Sequence, residues 1–248
     1  LFHRSIDTID RFVHRLIQER RRDPAKADVL AMLMAAPKGQ GLEAIGKDEL
    51  RDEILNLFLA GFETSASGLT WTFMLLAQHP EMRHRVVEEA ERVVGDGPVL
   101  AEHLPRLQYL GWVLSEAMRL YPPIWTNERV PVDDDTINGY AIPKGTMVAV
   151  STWLLHHHPG LWEEPMRFDP ERFAPERSEG RNRYAFVPFG LGPRTCVGNH
   201  FATMQAKVMV TTILRRAIVD VRASEVKPLA AVTLRPKGGL RGRIWMRR

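Results

Sequence analysis

One helical pattern is longer than any other in the chain. It runs from Asp48 to Gln78 and stops at His79-Pro80, because proline disfavours helical backbone in the residue before it. Apolar residues at helical spacing predict further helices over residues 6–22, 81–94, 110–120 and 198–217. Short strand patterns are confined to the second half of the chain. The sequence therefore predicts a mainly α fold with small β-sheets.

Turn residues predict where the short strands reverse direction. Asn138-Gly139 and Lys144-Gly145 predict short hairpins between residues 130 and 150. A last hairpin is predicted over residues 232–244, with its turn at Gly238-Gly239. Residues 159–194 carry many prolines and charges without a clear period, which indicates an irregular but packed meander.

Length and composition bound the domain organisation. A hydrophobic content of 44% over 248 residues suffices for one sizeable core. The single cysteine suits a reducing compartment, so we expect a cytoplasmic location, and the longest apolar run, residues 147–155, is too short to span a bilayer. The chain opens on Leu1, within what reads as the middle or end of a helix. We expect a single domain over residues 1–248 that is incomplete at its N-terminus, and an upstream membrane anchor is left open.

Positive charge is concentrated at the end of the chain. Residues 201–248 hold 11 Lys and Arg against Asp220 and Glu225, which gives +9; the whole chain carries +4, so the rest carries −5. The bases after Leu240 alternate with mostly apolar residues, as on a half-buried strand. Because no basic helix with aromatic stacking residues accompanies them, no nucleic-acid partner is expected.

The only cysteine lies in a segment rich in glycine, Phe189-Gly190-Leu191-Gly192-Pro193-Arg194-Thr195-Cys196-Val197-Gly198. A lone thiol forms neither an intramolecular disulfide nor a multi-cysteine zinc site. Three interpretations remain for Cys196: buried filler, nucleophile and single-thiolate metal ligand. The surrounding glycines, proline and arginine disfavour filler. A Cys-His hydrolase would explain neither the position of Arg194 nor the small residues of the long helix.

Mostly small residues share one face of that long helix: Leu57, Ala60, Gly61, Thr64 and Gly68. A glycine inside a helix costs about 1 kcal/mol relative to alanine, so the face indicates that something flat or bulky approaches the backbone. Glu63 and Thr64 place a carboxylate and a hydroxyl near that gap. The alternative is an ordinary helix–helix crossing, with Thr64 bonded to a carbonyl one turn earlier.

A pair of opposite charges lies on the predicted helix over residues 110–120. Glu116 and Arg119 are three residues apart and share a helix face. Their neighbours are apolar, so we expect a partly buried pair, which needs further partners for its remaining donors and acceptors. Arg172 is predicted as the third member.

Together these segments resemble the cytochrome P-450 superfamily of haem-thiolate monooxygenases, over essentially the whole chain and in the family's order. Residues 60–65 resemble the oxygen-activating segment of its long central helix, residues 116–119 its Glu-x-x-Arg helix and residues 170–173 its meander. Residues 189–198 match its Phe-x-x-Gly-x-Arg-x-Cys-x-Gly haem loop at every fixed position. The resemblance implies the C-terminal part of the cytochrome P-450 fold.

The resemblance also implies a haem site. Cys196 would bind the iron of haem b (iron protoporphyrin IX) as an axial thiolate, and Phe189 would pack beside the sulfur. Arg194 would bind a haem propionate, since a guanidinium pairs with a carboxylate bidentately, and Arg129 would bind another.

On the opposite haem face, the resemblance implies that Thr64 holds dioxygen and a water while Glu63 supplies protons. The implied activity inserts one atom of dioxygen into a lipophilic small molecule, with a pocket lined near Ala60, residues 123–125 and residues 230–232. Electrons would come from a ferredoxin-type or flavodoxin-type protein or from a flavin reductase. A basic docking face is implied by four residues, with a solvated helix face as the alternative: Arg194, His200, Lys207 and Arg215.

A second class of function stays open beside the enzyme, namely a non-catalytic, truncated haem-fold fragment. Members of the family carry a substantial N-terminal portion, so we expect the isolated 248-residue chain to bind haem weakly or not at all. No metal is expected at His156-His157-His158, because three adjacent histidines cannot all face one ion from regular structure.

Overall fold

The protein is described here from a computed structural model, which describes residues 2–23, 28–35, 47–222 and 226–247. It has two compact units, Leu1–Phe62 and Glu63–Arg248. The organisation of the chain as a single domain stays a prediction.

Helices make up most of the regular structure, and the predicted ones are confirmed with ends that differ by a few residues. The α-helices are α1 (Phe2–Arg22), α2 (Val29–Ala35), α3 (Lys47–Gln78), α4 (Pro80–Val94), α5 (Gln108–Leu120), α6 (Thr152–His156), α7 (Pro175–Ser178) and α8 (Asn199–Arg216). Turns of 3₁₀ helix lie at Ala101–Arg106, Pro170–Phe173 and Gly192–Arg194.

The strands are short and form antiparallel pairs. They are β1 (Asn127–Arg129), β2 (Asp135–Ile137), β3 (Tyr140–Ile142), β4 (Val148–Val150), β5 (Ala217–Val221), β6 (Pro228–Ala230), β7 (Leu234–Pro236) and β8 (Gly242–Met246). Strand β1 pairs with β4, β2 with β3, β5 with β8 and β6 with β7. A mainly α fold with small β-sheets is thereby confirmed.

The hairpin at Asn138-Gly139 is confirmed, since β2 and β3 pair across it and both turn residues have positive φ, 51° and 86°, as the favoured two-residue hairpin turn requires. Lys144-Gly145 makes a turn in which the Thr146 amide donates to the Pro143 carbonyl at 3.0 Å. The strands on its two sides, β3 and β4, pair with other strands and not with each other.

The predicted hairpin over residues 232–244 is wrong. Its two halves belong to β7 and β8, which pair with β6 and β5. Gly238 and Gly239 do form a turn at positive φ, 79° and 76°. The pairing differs because β7 is held elsewhere: its Leu234 carbonyl accepts hydrogen bonds from two side chains of α3.

The core of the second unit lies where α4, α5 and α8 meet the C-terminal half of α3. Its fully buried apolar side chains include Trp71, Leu76, Val86, Leu107, Leu110, Val113, Val210 and Leu214. The first turn of α5 is capped from α4, because the buried Glu89 carboxylate accepts from the amides of Tyr109 and Leu110 at 2.7 and 2.9 Å. This core holds the helix that carries Glu116 and Arg119.

The first unit has a smaller core, in which Val13 and Ile17 of α1 pack with Leu50 of α3. Arg51 and Asp10 join the same two helices, with Nε 2.8 Å from Oδ1. In the described part of the chain, no helix is both long enough and apolar enough to cross a membrane.

Candidate functional site

The loop before α8 is folded tightly by its own backbone. Gly190 and Gly192 adopt φ of 73° and 71°, values that residues with a Cβ rarely adopt. The Thr195 amide donates to the Gly192 carbonyl at 3.0 Å, and the Cys196 amide donates to the Phe189 carbonyl at 2.9 Å. The second of these bonds holds the backbone of Cys196 directly beside that of Phe189.

The thiol of Cys196 is free and exposed. Gly198 is the N-cap of α8, and a Cβ built on it would lie 3.9 Å from the Cys196 sulfur. The sulfur is therefore close to the N-terminus of a helix of 18 residues, where unpaired amides carry a partial positive charge. This placement stabilises a negatively charged sulfur.

Several large apolar side chains close to Cys196 in the sequence are exposed. Leu191, Val197 and Phe201 are 48%, 87% and 62% exposed, whereas Phe189 is half-buried. Exposed large apolar side chains grouped within one short segment are typical of a surface that another group covers. The surface and the thiol fit a flat apolar group with a metal at its centre.

The two predicted propionate ligands lie in different places. Arg194 ends the 3₁₀ turn before Cys196, is exposed, and forms no ion pair or side-chain hydrogen bond with another described residue. Arg129 is the last residue of β1, opposite Val148 of β4, and its Nη1 donates to the Glu128 carbonyl at 2.7 Å. Arg194 is thus placed two residues before Cys196 in the same loop, whereas Arg129 lies on a separate strand.

Glu63 is held by residues that the sequence did not indicate. The Thr233 hydroxyl donates to its Oε1 at 2.7 Å, and Nη1 of Arg235 lies 3.6 Å from the same oxygen. Thr64, the next residue of α3, is half-buried. Glu63 and Thr233 are 170 residues apart in the sequence, so no local pattern predicts their contact. The alternation of Thr233, Leu234 and Arg235 does indicate a polar face where β7 begins.

Two of the three parts predicted to line a substrate pocket, residues 123–125 and residues 230–232, meet in the second unit. The Trp125 indole donates to the Ala231 carbonyl at 2.8 Å, and the Leu234 amide donates to the Pro123 carbonyl at 2.9 Å. Val232, between these contacts, is 86% exposed. The turn between β6 and β7 is thereby attached to the segment over residues 123–125.

The predicted charge network is present and buried. Nε and Nη2 of Arg119 donate to the two carboxylate oxygens of Glu116 at 2.7 and 2.9 Å, and both side chains are 0% exposed. The other N–H groups of Arg119 reach the carbonyls of His156, Pro165 and Arg167. Nε of Arg172 lies 3.4 Å from Glu116 Oε1, as the sequence predicted. The network therefore joins α5 to the meander.

The three adjacent histidines have separate environments. His156 is buried and its Nε2 accepts from the Val187 amide at 2.9 Å, while His157 stacks on Trp153. Burial lowers the pKa of His156 to about 4, and the positive charge of Arg119 acts in the same direction. Burial also lowers the pKa of His157. Each ring has a structural contact of its own.

Two of the four bases proposed for a docking face are turned toward the protein. Nζ of Lys207 donates to the Leu104 carbonyl at 2.8 Å, and Nη1 of Arg215 donates to the Gly97 carbonyl at 2.9 Å. Burial lowers the pKa of Lys207. Arg194 and His200 are exposed, so they are the members of the set that face solvent.

Comparison with known proteins identifies relatives over nearly the whole chain. A family model described as "Cytochrome P450" matches residues 1–239. Pentalenene oxygenase of Streptomyces avermitilis is 34% identical over 96% of this chain and 54% of its own length. Cyclooctat-9-en-7-ol 5-monooxygenase of Streptomyces melanosporofaciens is 36% identical over 87% of this chain and 47% of its own.

A solved structure described as retinoic acid bound cyanobacterial CYP120A1 has the same fold. It superposes with a TM-score of 0.90 at 32% identity, over 98% of this chain and 57% of that one. The chain thus spans about half the length of the curated relatives it matches.

Proposed function

The chain belongs to the cytochrome P450 family, and we propose that it forms the haem-thiolate part of a monooxygenase acting on a lipophilic small molecule. The observation that carries this proposal is the free, exposed thiol of Cys196 at the N-terminus of α8, in a segment whose large apolar side chains Leu191, Val197 and Phe201 are exposed. The family implies a haem cofactor.

The residues around Cys196 fit a haem. A thiolate is a soft ligand suited to iron, and the exposed Leu191, Val197 and Phe201 match the apolar face of a porphyrin. Arg194 supplies a cation beside the loop for a propionate, and we propose Arg129 for the other propionate. We propose haem b as the form of this cofactor, as the haem-thiolate chemistry of the family implies.

The overall reaction consumes one substrate R–H, one O₂, two electrons and two protons, and yields R–OH and one H₂O. When bound, the haem iron supplies the redox centre at which dioxygen is reduced. The partial positive charge at the start of α8 stabilises the anionic sulfur of Cys196, and Phe189 limits water access to it. We propose that Thr64 positions a water with its hydroxyl and that Glu63 supplies the protons.

The substrate class follows from the apolar lining and from the relatives. Residues 123–125 and residues 230–232 of the second unit offer mainly hydrocarbon surface. The related proteins are an oxygenase of pentalenene, a monooxygenase of cyclooctat-9-en-7-ol and a retinoic acid complex. We propose a lipophilic substrate, a ferredoxin-type, flavodoxin-type or flavin-reductase electron donor, and a cytoplasmic location.

The test is an isotope experiment on the protein at the full length that its gene encodes. A panel of lipophilic compounds that includes pentalenene, cyclooctat-9-en-7-ol and retinoic acid is first screened for a substrate-induced change in the haem spectrum. Compounds that bind are incubated under ¹⁸O₂ with an electron donor, and products are analysed by mass spectrometry. We expect one ¹⁸O atom in each product molecule. Products labelled only from water, or binding without any product, would contradict a monooxygenase.

A further inference from the structure

The contacts of Glu63 single out one of its carboxylate oxygens. The hydrogen bond from Thr233 and the closest approach of Arg235 both fall on Oε1. No hydrogen bond from another described residue falls on Oε2. One oxygen of the carboxylate is thus fixed, and the other is left available for proton exchange.

Thr233 is a residue whose hydroxyl needs this contact. It is 2% exposed, and a buried hydroxyl without a partner costs free energy. A glutamate side chain on a helix surface has several rotatable bonds and, without such a contact, exchanges among rotamers. The bond to Thr233 therefore restricts a carboxylate that would otherwise be mobile.

Strand β7, which begins directly after Thr233, is itself fixed to α3. The Leu234 carbonyl accepts from Ser67 Oγ at 2.6 Å and from Trp71 Nε1 at 2.8 Å. Glu63, Ser67 and Trp71 are spaced four residues apart and lie on one face of α3. Thr233 and Arg235 lie on either side of Leu234 in the sequence, and both side chains reach Glu63.

We propose that Thr233 is a positioning residue that orients the Glu63 carboxylate for proton supply, with Arg235 as its electrostatic support. The inference rests on the proposed monooxygenase function. It also links two parts of the site. Val232, exposed in the turn where substrate is proposed to bind, directly precedes Thr233, which holds the acid proposed to supply protons. Thr233 acts through Glu63 and does not touch the reacting atoms.

The contact is tested first without any cofactor-dependent readout. Unfolding in urea is measured for the protein and for its Glu63→Ala, Thr233→Val and doubly substituted variants. We expect the unfolding constant of the double variant to depart from the product of the single effects by about fivefold, since a hydrogen bond to a charged group is lost only once. Thr211→Val is the matched control, because Thr211 is also buried but its hydroxyl has no hydrogen-bond partner among the described residues. Additivity within about twofold would overturn the contact.

The positioning role is tested in the haem-loaded, full-length protein. Thr233→Val is expected to lower kcat about fivefold or more with KM and substrate-induced spectral change unaltered. The displaced electrons should appear as hydrogen peroxide, by O₂ + 2e⁻ + 2H⁺ → H₂O₂. Thr233→Ser, which keeps the hydroxyl, should restore product formation.

Unchanged product yield per electron in Thr233→Val, or failure of Thr233→Ser to restore it, would overturn the positioning role. A failure of the proposed function is distinguishable, because it would be seen as absence of product in the unsubstituted protein. The urea experiment tests the hydrogen bond between Thr233 and Glu63 in either case.

Discussion

Glu116 and Arg119 form a bidentate ion pair in which neither side chain touches solvent, with Nε 2.7 Å from Oε2 and Nη2 2.9 Å from Oε1. Removing one partner of such a pair costs far more free energy than the intact pair contributes, because the remaining charge then stays buried without its partner. The remaining N–H groups of Arg119 donate to the carbonyl of His156, the last residue of α6, and to those of Pro165 and Arg167 in the meander. The pair therefore stabilises the attachment of α5 to α6 and to the meander.

Arg119→Lys should lower the free energy of unfolding by about 3 kcal/mol or more, because an ammonium group cannot replace the fork of donors. The matched control is Arg167→Lys, since Arg167 and Glu164 also form a pair three residues apart at 2.8 Å but are exposed. The control should leave the urea midpoint unchanged. Equal effects of the two substitutions would contradict the structural role of the buried pair.

His156 should make stability depend on pH. Burial lowers the pKa of its imidazole to about 4, below the value of about 6.5 in an unfolded chain. Between these values the unfolded state binds more protons, so stability is complete above about pH 6.5 and falls as the pH is lowered to about 4. The loss attributable to this group is up to about 3 kcal/mol.

The measurement is urea unfolding at several pH values for the protein, for His156→Gln and for His84→Gln. Stability of His156→Gln should fall less steeply between pH 6.5 and 4, since its amide does not titrate and its oxygen can accept from the Val187 amide. His84 is exposed, so its variant should follow the unsubstituted protein. Parallel curves for the protein and His156→Gln would rule out the effect.

The attachment of β7 to α3 should be cooperative. Ser67 and Trp71 donate to the same Leu234 carbonyl, so either one keeps that buried acceptor satisfied when the other is lost. Ser67→Ala should cost about 1 kcal/mol. Combining it with Trp71→Phe should cost about 1 kcal/mol more than the sum of the single losses, since the carbonyl is then left without a side-chain donor. Calorimetric or urea unfolding measures this, and strict additivity would count against a shared acceptor.

The cap on α5 should contribute strongly to stability. Glu89 is 6% exposed and accepts from the Tyr109 and Leu110 amides at the helix start. Glu89→Ala should lower the free energy of unfolding by about 2 kcal/mol or more, because two buried donors lose their acceptor. Glu88→Ala, on the exposed side of the same helix, is the control and should have little effect on the urea midpoint. A similar midpoint for both variants would contradict the capping role.

Local patterns in the sequence were enough to predict the helices, the Asn138-Gly139 hairpin and the network of Glu116, Arg119 and Arg172. Each depends on periodicity, on turn residues or on a charged pair in apolar surroundings. The residues around Cys196 left three interpretations of the thiol, and the thiolate site, which stays a proposal, came from the resemblance to the family.

Contacts between distant residues were not predictable in the same way. The predicted pairing of β7 with β8 was wrong, because Gly238-Gly239 indicates a turn but not which strands pair. The bond from Thr233 to Glu63 and the cap from Glu89 to α5 join residues far apart in sequence. Their hydrogen bonds depend on tertiary packing, which no local period records.

The central claim is that the Cys196 thiolate binds haem iron, and its most direct test is the absorption spectrum of the reduced, CO-bound protein at the full length that its gene encodes. We expect the long-wavelength band specific to thiolate ligation, and Cys196→Ser should lose that band even where it retains haem. A spectrum of nitrogen-ligated haem in the unsubstituted protein, or an unchanged band in Cys196→Ser, would contradict the claim.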